Sequence, residues 1–440
     1  MRISLLTVDL VIEGGGPRQL LYLANWLQKF GHQVTVYAYR YNPARCYPNL
    51  TASLDIRCVE RLDRDWRQDK GHIPSHSLLF GAKRQFYERW RLARLIQDPG
   101  DLLNPHDRIA ARAAVQWKRK TGAPVVWMCN DAANWEQPGY RPTLPSLLQR
   151  MKDRMLGYLD RKAGRDFDGI VALDHPVKKI VEDFYHRPTR VIRSGLDLSA
   201  FHARPAGRIK IRQRHNIPGD AFLILWFGVL EPRRRIEDVL EAMRALRQER
   251  EDIRFLIVGM DAGAPKYARQ LRQFVSDHGL ESVVQFALGS VPEEEVADYY
   301  SAGDVLVYPC ENYAWGLSVF EAMACGSPVI VSRSCGAQEV LEDQQTALLV
   351  PHRDPRAIRD AVRALADHPE FHRKVSRHGQ AYVQQHMSWE RYAQEMLQVF
   401  EQVRHNVETA KGTGQTILFP AKNEEMTRTL SRQPRPASRL

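Results

Sequence analysis

Cysteine is scarce in this sequence and is not arranged in a pattern that would bind a metal. The 440 residues contain six cysteines, with no C-x-x-C pair and no histidine cluster at zinc-ligand spacing. This excludes zinc-ribbon modules and thioredoxin-like redox sites. We interpret the thiols as reduced and mostly structural, and we predict neither a metal nor a cofactor.

Long apolar runs are also missing. No stretch of the sequence approaches the roughly 20 consecutive apolar residues that are needed to cross a bilayer. The opening segment reaches Asp9 where a signal peptide would continue its apolar core, and glycines follow soon after. We therefore expect a cytoplasmic protein, either soluble or attached peripherally to the inner face of the membrane.

The dinucleotide-binding fingerprint is absent, although glycines follow the first predicted strand. Gly14, Gly15 and Gly16 do not have the G-x-G-x-x-G spacing, and the second strand ends in residues 37–40 without an acidic side chain. This disfavours a nicotinamide enzyme. The glycines still stand where backbone amides meet phosphate in open parallel sheets, although the geometry of the turn alone would also explain them.

Positive charge is what the sequence has in excess. Lys and Arg total 63 against 52 Asp and Glu, which gives a formal net charge of +11. Such an excess favours an anionic partner, namely a nucleoside diphosphate, an acidic phospholipid or a nucleic acid. Nucleic acid is the least favoured of the three, because the basic residues are dispersed and no nucleic-acid-reading motif is present.

Hydrophobic periodicity predicts an α/β fold with two domains. The strand 5–11, the helix 19–30 and the strand 33–39 form a β-α-β unit, and the same alternation restarts at Phe222. We predict domains at 1–200 and 201–385, joined through a hinge-like connection at 204–218. A C-terminal helix at 386–410 would pack back toward the first domain, and 411–440 would be a disordered basic tail.

A cluster of arginines follows the first strand of the second predicted domain. Gly228 marks a turn, and Arg233, Arg234 and Arg235 stand where this strand meets the next helix. Guanidinium groups beside helix amides form an anion site suited to a diphosphate. The alternative interpretation is a solvated basic turn.

The most specific motif lies at 307–330. It places a Gly-Leu loop at a helix start, followed by Glu321 and the run Glu-Ala-Met-Ala-Cys-Gly-Ser-Pro-Val-Ile. This pattern resembles that of the family 4 glycosyltransferases, which have the GT-B fold of two Rossmann-like domains facing across a cleft. Further matching segments cover much of the chain: 14–16, 31–36, 104–107, 195–197 with Phe201, 289–292, 302–305, 336–340 and 348–351.

The resemblance implies roles for individual residues. Glu321 would bind the ribose hydroxyls of a nucleotide-sugar donor, and the amides of Gly316, Leu317 and Ser318 would face its phosphates. Val291 would flank the nucleobase. The resemblance also assigns the following further residues to donor binding: Gly15, Gly16, Gly228 and Tyr313.

Catalysis in this family is metal-independent and similar to a front-side displacement that retains the anomeric configuration. Arg234 and Arg235 are the candidates for stabilising the leaving diphosphate. His106 and Asn130 are the candidate polar groups of the first domain. His106 is equally well explained as a structural hydrogen-bonding residue, and Asn130 stands where the family often has histidine.

Three further positions depart from the family pattern. Val229 replaces an arginine of the phosphate loop, and Arg234 takes the place of its lysine. Tyr313 replaces the first of two glutamates, eight positions before Glu321. The two Asp-x-Asp triplets at 63–65 and 166–168 are interpreted as chance.

These observations predict a retaining glycosyltransferase that moves a hexose-type sugar from a UDP- or GDP-sugar to a cell-surface polysaccharide or lipid-linked acceptor. The basic and aromatic run 57–94 would suit an anionic membrane surface, with a solvated helical face as the alternative. Two other functions stay open. One is a non-catalytic relative that serves as a subunit or scaffold, and the other is a nucleotide-sugar epimerase of the same fold.

Overall fold

The computed structural model describes residues 1–11, 14–62, 84–130, 132–133, 136, 147–261, 265–311 and 315–413. They form two α/β units, as predicted. Tyr313, most of the basic run 57–94, the first Asp-x-Asp triplet and the predicted tail beyond 413 lie outside the described residues.

The first unit is built on a parallel sheet with helices between the strands. The order is β3-β2-β1-β4, and a parallel bridge between Leu103 and Val125 continues it to β5-β6-β7. The strands are β1 (Arg2–Leu10), β2 (Gln33–Tyr41), β3 (Asp55–Arg61), β4 (Leu102–Pro105), β5 (Val126–Cys129), β6 (Gly169–Ala172) and β7 (Thr189–Val191). The helices are α1 (Gly15–Lys29), α2 (Pro48–Thr51), α3 (Arg89–Leu95, preceded by a π turn at Arg84–Glu88), α4 (Arg108–Thr121), α5 (Leu147–Gly164) and α6 (His175–Tyr185).

The second unit repeats this construction with a parallel sheet of order β10-β9-β8-β11-β12-β13. Its strands are β8 (Phe222–Val229), β9 (Ile253–Met260), β10 (Val284–Leu288), β11 (Val305–Tyr308), β12 (Val329–Ser332) and β13 (Leu348–Val350). Its helices are α7 (Pro205–Arg214), α8 (Ile236–Glu249), α9 (Pro265–Asp277), α10 (Glu293–Ala302), α11 (Leu317–Ala324), α12 (Pro355–Asp367) and α13 (Pro369–His386), with 3-10 turns at Pro232–Arg234 and Gly336–Val340. Since the sheet is parallel, its strands are apolar on both faces and run as short buried segments.

The helix α7 (Pro205–Arg214) occupies most of the segment 204–218, for which we predicted a hinge-like connection; the hinge stays a prediction. Pro205 occupies the first turn of α7, where its missing N–H costs no hydrogen bond. The buried Arg212 donates to Asp304 Oδ2 at 2.5 Å and to three backbone carbonyls of 218–221. Gly207 lets α7 lie against Asp298, since an added Cβ would stand 2.4 Å from its Oδ1. The basic residues of this segment pair with acidic residues inside the second unit.

The last described helix, α14 (Trp389–Thr413), returns to the first unit. Trp389 stacks on Tyr22 of α1, with ring centroids 4.8 Å apart and an interplanar angle of 5°. Met396, Phe400 and other apolar residues of α14 share one buried cluster with α1. The prediction that a C-terminal helix packs toward the first domain describes this arrangement, while the domain limits stay predictions.

The second Asp-x-Asp triplet has structural partners. Asp168 accepts from the Val125 backbone N–H at 2.8 Å and pairs with Lys118 at 2.5 Å. Asp166 pairs with Arg119 at 2.6 Å. In the described ranges, no helix is long and apolar enough to span a bilayer.

The junction between β7 and α14 predicts a stability effect. A Cβ added at Gly195 would lie 2.2 Å from the backbone nitrogen of Trp389, which cannot yield as a flexible side chain can. We expect Gly195→Ala to lower the free energy of unfolding by roughly 1–3 kcal/mol, measured by denaturant titration. Gly219→Ala is the matched control, since nothing lies within 4 Å of its added Cβ. Equal stability of the two variants would contradict this account.

Candidate active site

A cavity of about 1070 Å³ lies between the two units, at the carboxyl ends of strands from both sheets. Its lining from the first unit includes Gly15, Arg18 and Tyr47, and its lining from the second includes residues that follow β8, β9 and β10. The sequence-predicted residues that it brings together are Gly15, Gly228, Arg234, Val291, Leu317, Ser318 and Glu321. Ligands of open parallel sheets bind at this edge.

Glycines end three neighbouring strands at the cavity. Gly228, Gly259 and Gly289 have φ angles of 152°, 135° and 151°, which side-chain-bearing residues rarely adopt. A Cβ on Gly259 would stand only 1.7 Å from the carbonyl oxygen of Gly228. Because no side chains stand at these positions, the strand ends expose backbone to the cavity, as close approach to a ligand requires.

Glu321 is the buried carboxylate of the cavity. Its side chain is 6% exposed, and it lies in the second turn of α11. The Tyr300 hydroxyl donates to its Oε2 at 2.7 Å, and the Arg18 guanidinium pairs with its Oε1. Each oxygen of the Glu321 carboxylate, which we predicted to bind ribose, therefore already accepts a hydrogen bond from the protein.

Arg18 belongs to the first turn of α1, in the other unit, and sequence reasoning missed it. Its side chain is 10% exposed, and its Nη2 also reaches Glu293 Oε1 at 3.2 Å. Burial disfavours the charge, but Glu321, Tyr47 and Glu293 outweigh this effect and raise the pKa of Arg18 above its usual value. The sequence did contain an indication of this role. A cation in the first turn of a helix is unfavourable beside the positive end of the helix dipole, so Arg18 needs carboxylates from elsewhere in the protein.

Arg234 lines the cavity from the turn after β8. Its guanidinium donates to the Tyr308 hydroxyl, approaches Cys310 Sγ at 3.4 Å and lies 5.5 Å from the centroid of the Tyr308 ring. Within the described part of the chain, its Nε has no hydrogen-bond partner. Arg234 is therefore held by the neutral groups of Tyr308 and Cys310, and among the described residues it forms no ion pair, although the nearby Glu231 carboxylate favours its charge.

Arg235 is placed differently from its neighbour. Its guanidinium pairs with Asp238 at 2.6 Å and with Glu237 at 2.7 Å, and it is outside the described cavity lining. Arg233 likewise pairs with Glu231 at 2.6 Å. Of the three arginines of the predicted anion site, the structure brings Arg234 alone to the described cavity.

His106 and Asn130 follow β4 and β5 and are also outside the described cavity lining. His106 is buried and its Nε2 lies 2.9 Å from Asn104 Oδ1; burial lowers the pKa of His106 to about 3, so the ring is neutral. Asn130 Oδ1 is buried without a hydrogen-bond partner among the described residues. Gly16 and Gly316 are not in that lining either. Gly316 has φ 77° and caps α11.

A second contact between the units lies at the end of β6. The Arg193 Nη2 pairs with Glu339 Oε1 at 2.6 Å, and the His175 backbone N–H donates to Glu339 Oε2 at 3.0 Å. Asp174 caps α6 by accepting from the Val177 N–H at 2.7 Å. Burial, with a further contribution from Glu339, raises the pKa of Asp174 to about 7.

Metal ligands are not grouped at the cavity or elsewhere in the described residues: no cluster of three or more His, Cys, Asp or Glu side chains could hold an ion there. The prediction of a metal-independent reaction stays a prediction.

Comparison with known proteins identifies the family. The model for Glycosyltransferase Family 4 matches residues 13–200, and the model for Glycosyl transferases group 1 matches residues 207–382. The D-inositol 3-phosphate glycosyltransferase of Geodermatophilus obscurus is 30% identical over 319 residues, which cover 68% of each chain. The chain belongs to the family 4 glycosyltransferases. The enzyme of the same name from Saccharomonospora viridis is 25% identical over 348 residues, covering 76% of both chains.

Solved structures show that this glycosyltransferase has the predicted GT-B fold. Anabaena HepE, solved in complex with UDP-glucose, matches with a TM-score of 0.72 at 17% identity, covering 91% of this chain and 100% of HepE. Sucrose-phosphate synthase from Thermosynechococcus elongatus matches with a TM-score of 0.70 at 22% identity, covering 91% and 98% of the two chains. At these identities the likeness concerns the fold alone.

The raised pKa of Asp174 predicts a pH-dependent stability. A carboxyl group whose folded-state pKa lies above its ordinary value stabilises the fold at low pH, and this contribution is lost as the pH rises through the folded pKa. Asp174→Asn keeps the helix cap but cannot ionise. Between pH 4 and pH 8 we expect the variant to gain roughly 1–3 kcal/mol relative to the wild type in the free energy of unfolding.

Denaturant unfolding at several pH values measures this gain. Asp354→Asn makes the same substitution at the N-cap of α12, where Asp354 accepts from the Ala357 N–H at 3.0 Å, and it reports the effect of capping alone. Parallel pH profiles of wild type and Asp174→Asn would show that Asp174 ionises normally in the folded protein.

Proposed function

We propose that this glycosyltransferase takes a hexose-type sugar from a UDP- or GDP-sugar and transfers it, with retention and without a metal, to a glycan or lipid-linked acceptor. The observation that carries the donor assignment is the position of Glu321. Its buried carboxylate lines a cavity between the two units and stands beside Ser318 at the start of α11. Carboxylates accept hydrogen bonds from paired hydroxyls, and ribose offers such a pair.

The diphosphate of the donor would lie between α11 and the turn after β8. The first N–H groups of α11, at Leu317 and Ser318, have no partner within the helix, and both residues line the cavity. Arg234 adds a positive charge at the cavity. In a retaining front-side displacement the negative charge grows on the leaving diphosphate, so these groups would stabilise the transition state more than the bound donor.

The nucleobase and the acceptor would occupy opposite walls. Val291 lines the cavity next to the glycine ends of β9 and β10, where a flat base would fit. Tyr47, Asn49 and Arg45 line it from the first unit, on the side proposed for the acceptor. The relatives named above are inositol 3-phosphate glycosyltransferases, so a phosphorylated polyol is a second acceptor class to test beside glycans.

Peripheral contact with an anionic membrane is part of the proposal. Phe86, Tyr87 and Trp90 are about 40% exposed around the start of α3. Arg89, Arg91 and Arg94 lie among them, with the Arg94 guanidinium 4.1 Å from the Trp90 ring centroid. Exposed aromatics interleaved with arginines suit the interface of an anionic bilayer.

The scaffold alternative has one observation in its favour. Val229 lines the cavity where the family pattern has an arginine, so one cation fewer faces the proposed diphosphate. Measurement of turnover distinguishes a glycosyltransferase from a scaffold. Binding of a donor without release of nucleoside diphosphate, across a panel of acceptors, would favour a scaffold. Consumption of the donor without any acceptor would instead indicate an epimerase.

The position of Arg234 predicts a catalytic loss. We expect Arg234→Met to lower acceptor-dependent release of nucleoside diphosphate by about 100-fold or more, because removal of one donor to a developing negative charge has an effect of this size. The matched control is Arg233→Met on the same turn, whose guanidinium is engaged by Glu231. An equal loss in both variants, with unfolding curves like the wild type, would remove the special role of Arg234.

The role of Glu321 is tested by a calorimetric screen of UDP, GDP, ADP and their common sugar conjugates. We expect one nucleotide to bind selectively and Glu321→Gln to weaken it by about tenfold or more, since hydrogen bonds to charged groups contribute about 1.5–3 kcal/mol. Glu294→Gln removes one negative charge from the exposed part of the same cavity and should change the affinity less. Unchanged binding by Glu321→Gln would overturn the proposed donor site.

A further inference from the structure

Arg18 links the two units at the proposed ribose site. It belongs to α1 of the first unit, but its guanidinium pairs with Glu321 of α11 and with Glu293 of α10, both in the second unit. We infer that Arg18 is a positioning residue that fixes Glu321 for ribose recognition, so that nucleotide selectivity in the second unit depends on a side chain of the first. The inference rests on the proposed function of Glu321.

The hydrogen-bonding capacity of Glu321 indicates that Arg18 positions this carboxylate and does not block its binding to ribose. An ionised carboxylate offers about four acceptor sites. Arg18 occupies one on Oε1, and the Tyr300 hydroxyl occupies one on Oε2 at 2.7 Å. Glu321 nevertheless lines the cavity, so acceptor sites remain for two ligand hydroxyls. The two protein donors fix the plane of the carboxylate without using all of its capacity.

The charge of Glu321 also depends on Arg18. A carboxylate with a 6% exposed side chain has lost most of its hydration and needs a compensating partner. Tyr300 supplies a neutral hydroxyl, and Glu293 has the same sign as Glu321. Among the described residues, Arg18 is therefore the cation that pairs with the Glu321 carboxylate.

Arg18 is itself fixed from several sides, as an orienting group must be. Its guanidinium carbon lies 5.4 Å from the Tyr47 ring centroid and 5.2 Å from that of Phe201. The planar fork of arginine contacts two carboxylates at once, which the point charge of lysine does not reproduce. Arg18→Lys should thus keep the charge of the cluster but lose part of the orientation.

The experiment compares binding of UDP and GDP with binding of their 2′,3′-dideoxy analogues, measured by calorimetry on the full chain. In the wild type we expect the ribonucleotide that binds to be favoured by about tenfold or more. Glu321→Gln should reduce this ratio to near one. Arg18→Met should reduce it nearly as far, and Arg18→Lys should give an intermediate ratio.

The matched control is Arg193→Met, which removes another arginine that reaches across to a glutamate, Glu339, without contacting Glu321. It should leave the ratio as in the wild type, because loss of a contact between the units weakens both ligands equally. If Arg18→Met does not fold, as judged by thermal unfolding, Arg18→Lys supplies the test, and an unchanged ratio in it overturns the inference.

The outcomes separate the inference from the proposed function. A wild-type ratio near one overturns the ribose role of Glu321 and with it the role of Arg18. A large wild-type ratio that Glu321→Gln abolishes and Arg18→Met preserves overturns the inference alone. Tighter UDP or GDP binding in Arg18→Met also overturns it, since Arg18 would then compete with the ribose.

Discussion

Glu321 carries a negative charge at a place where water has little access, and such a charge requires partners. The partners come from both halves of the molecule, Tyr300 from α10 and Arg18 from α1. The arrangement exists because the two parallel sheets point their carboxyl ends toward one another. The α1 helix starts at such an edge in one unit, and α10 and α11 start at the corresponding edge in the other. The direction of the strands in the two sheets therefore brings Arg18 and Glu321 together in the cleft.

The glycine ends of β8, β9 and β10 complete this constraint. Side chains at Gly228 and Gly289 would stand at strand ends that line the cavity, and a Cβ at Gly259 would collide with the carbonyl oxygen of Gly228 on the neighbouring strand. Arg234, by contrast, enters from a 3-10 turn directly after this edge and is oriented by Tyr308. The cavity is therefore formed by backbone from the sheet and charge from the loops. This division is common in α/β folds, where the scaffold fixes positions and loops carry chemistry.

Much of the fold could be predicted because it depends on local sequence patterns, namely hydrophobic periodicity and short motifs. The β-α-β alternation and the motif around Glu321 identified the GT-B fold and the family, both of which are confirmed. The helix within 204–218 was not predicted, because proline, glycine and basic residues suggested an irregular connection, whereas Arg212 is buried against Asp304. Arg18 was missed because its partner Glu321 lies 303 positions away, a contact that periodicity does not reveal. The three neighbouring arginines 233–235 look equivalent in sequence, and only their acidic neighbours distinguish them.

The return of α14 to α1 has a consequence for the order in which the enzyme is made. The apolar face of α1 is covered by Met396 and Phe400, and Tyr22 stacks on Trp389. A ribosome that has delivered all of the first unit has not yet delivered α14, because the whole second unit lies between them in sequence. During that interval α1 exposes the surface that α14 will cover, and the nascent chain offers a site for chaperones that the finished enzyme lacks. The first unit can therefore complete its packing only after the second unit and α14 have been synthesised.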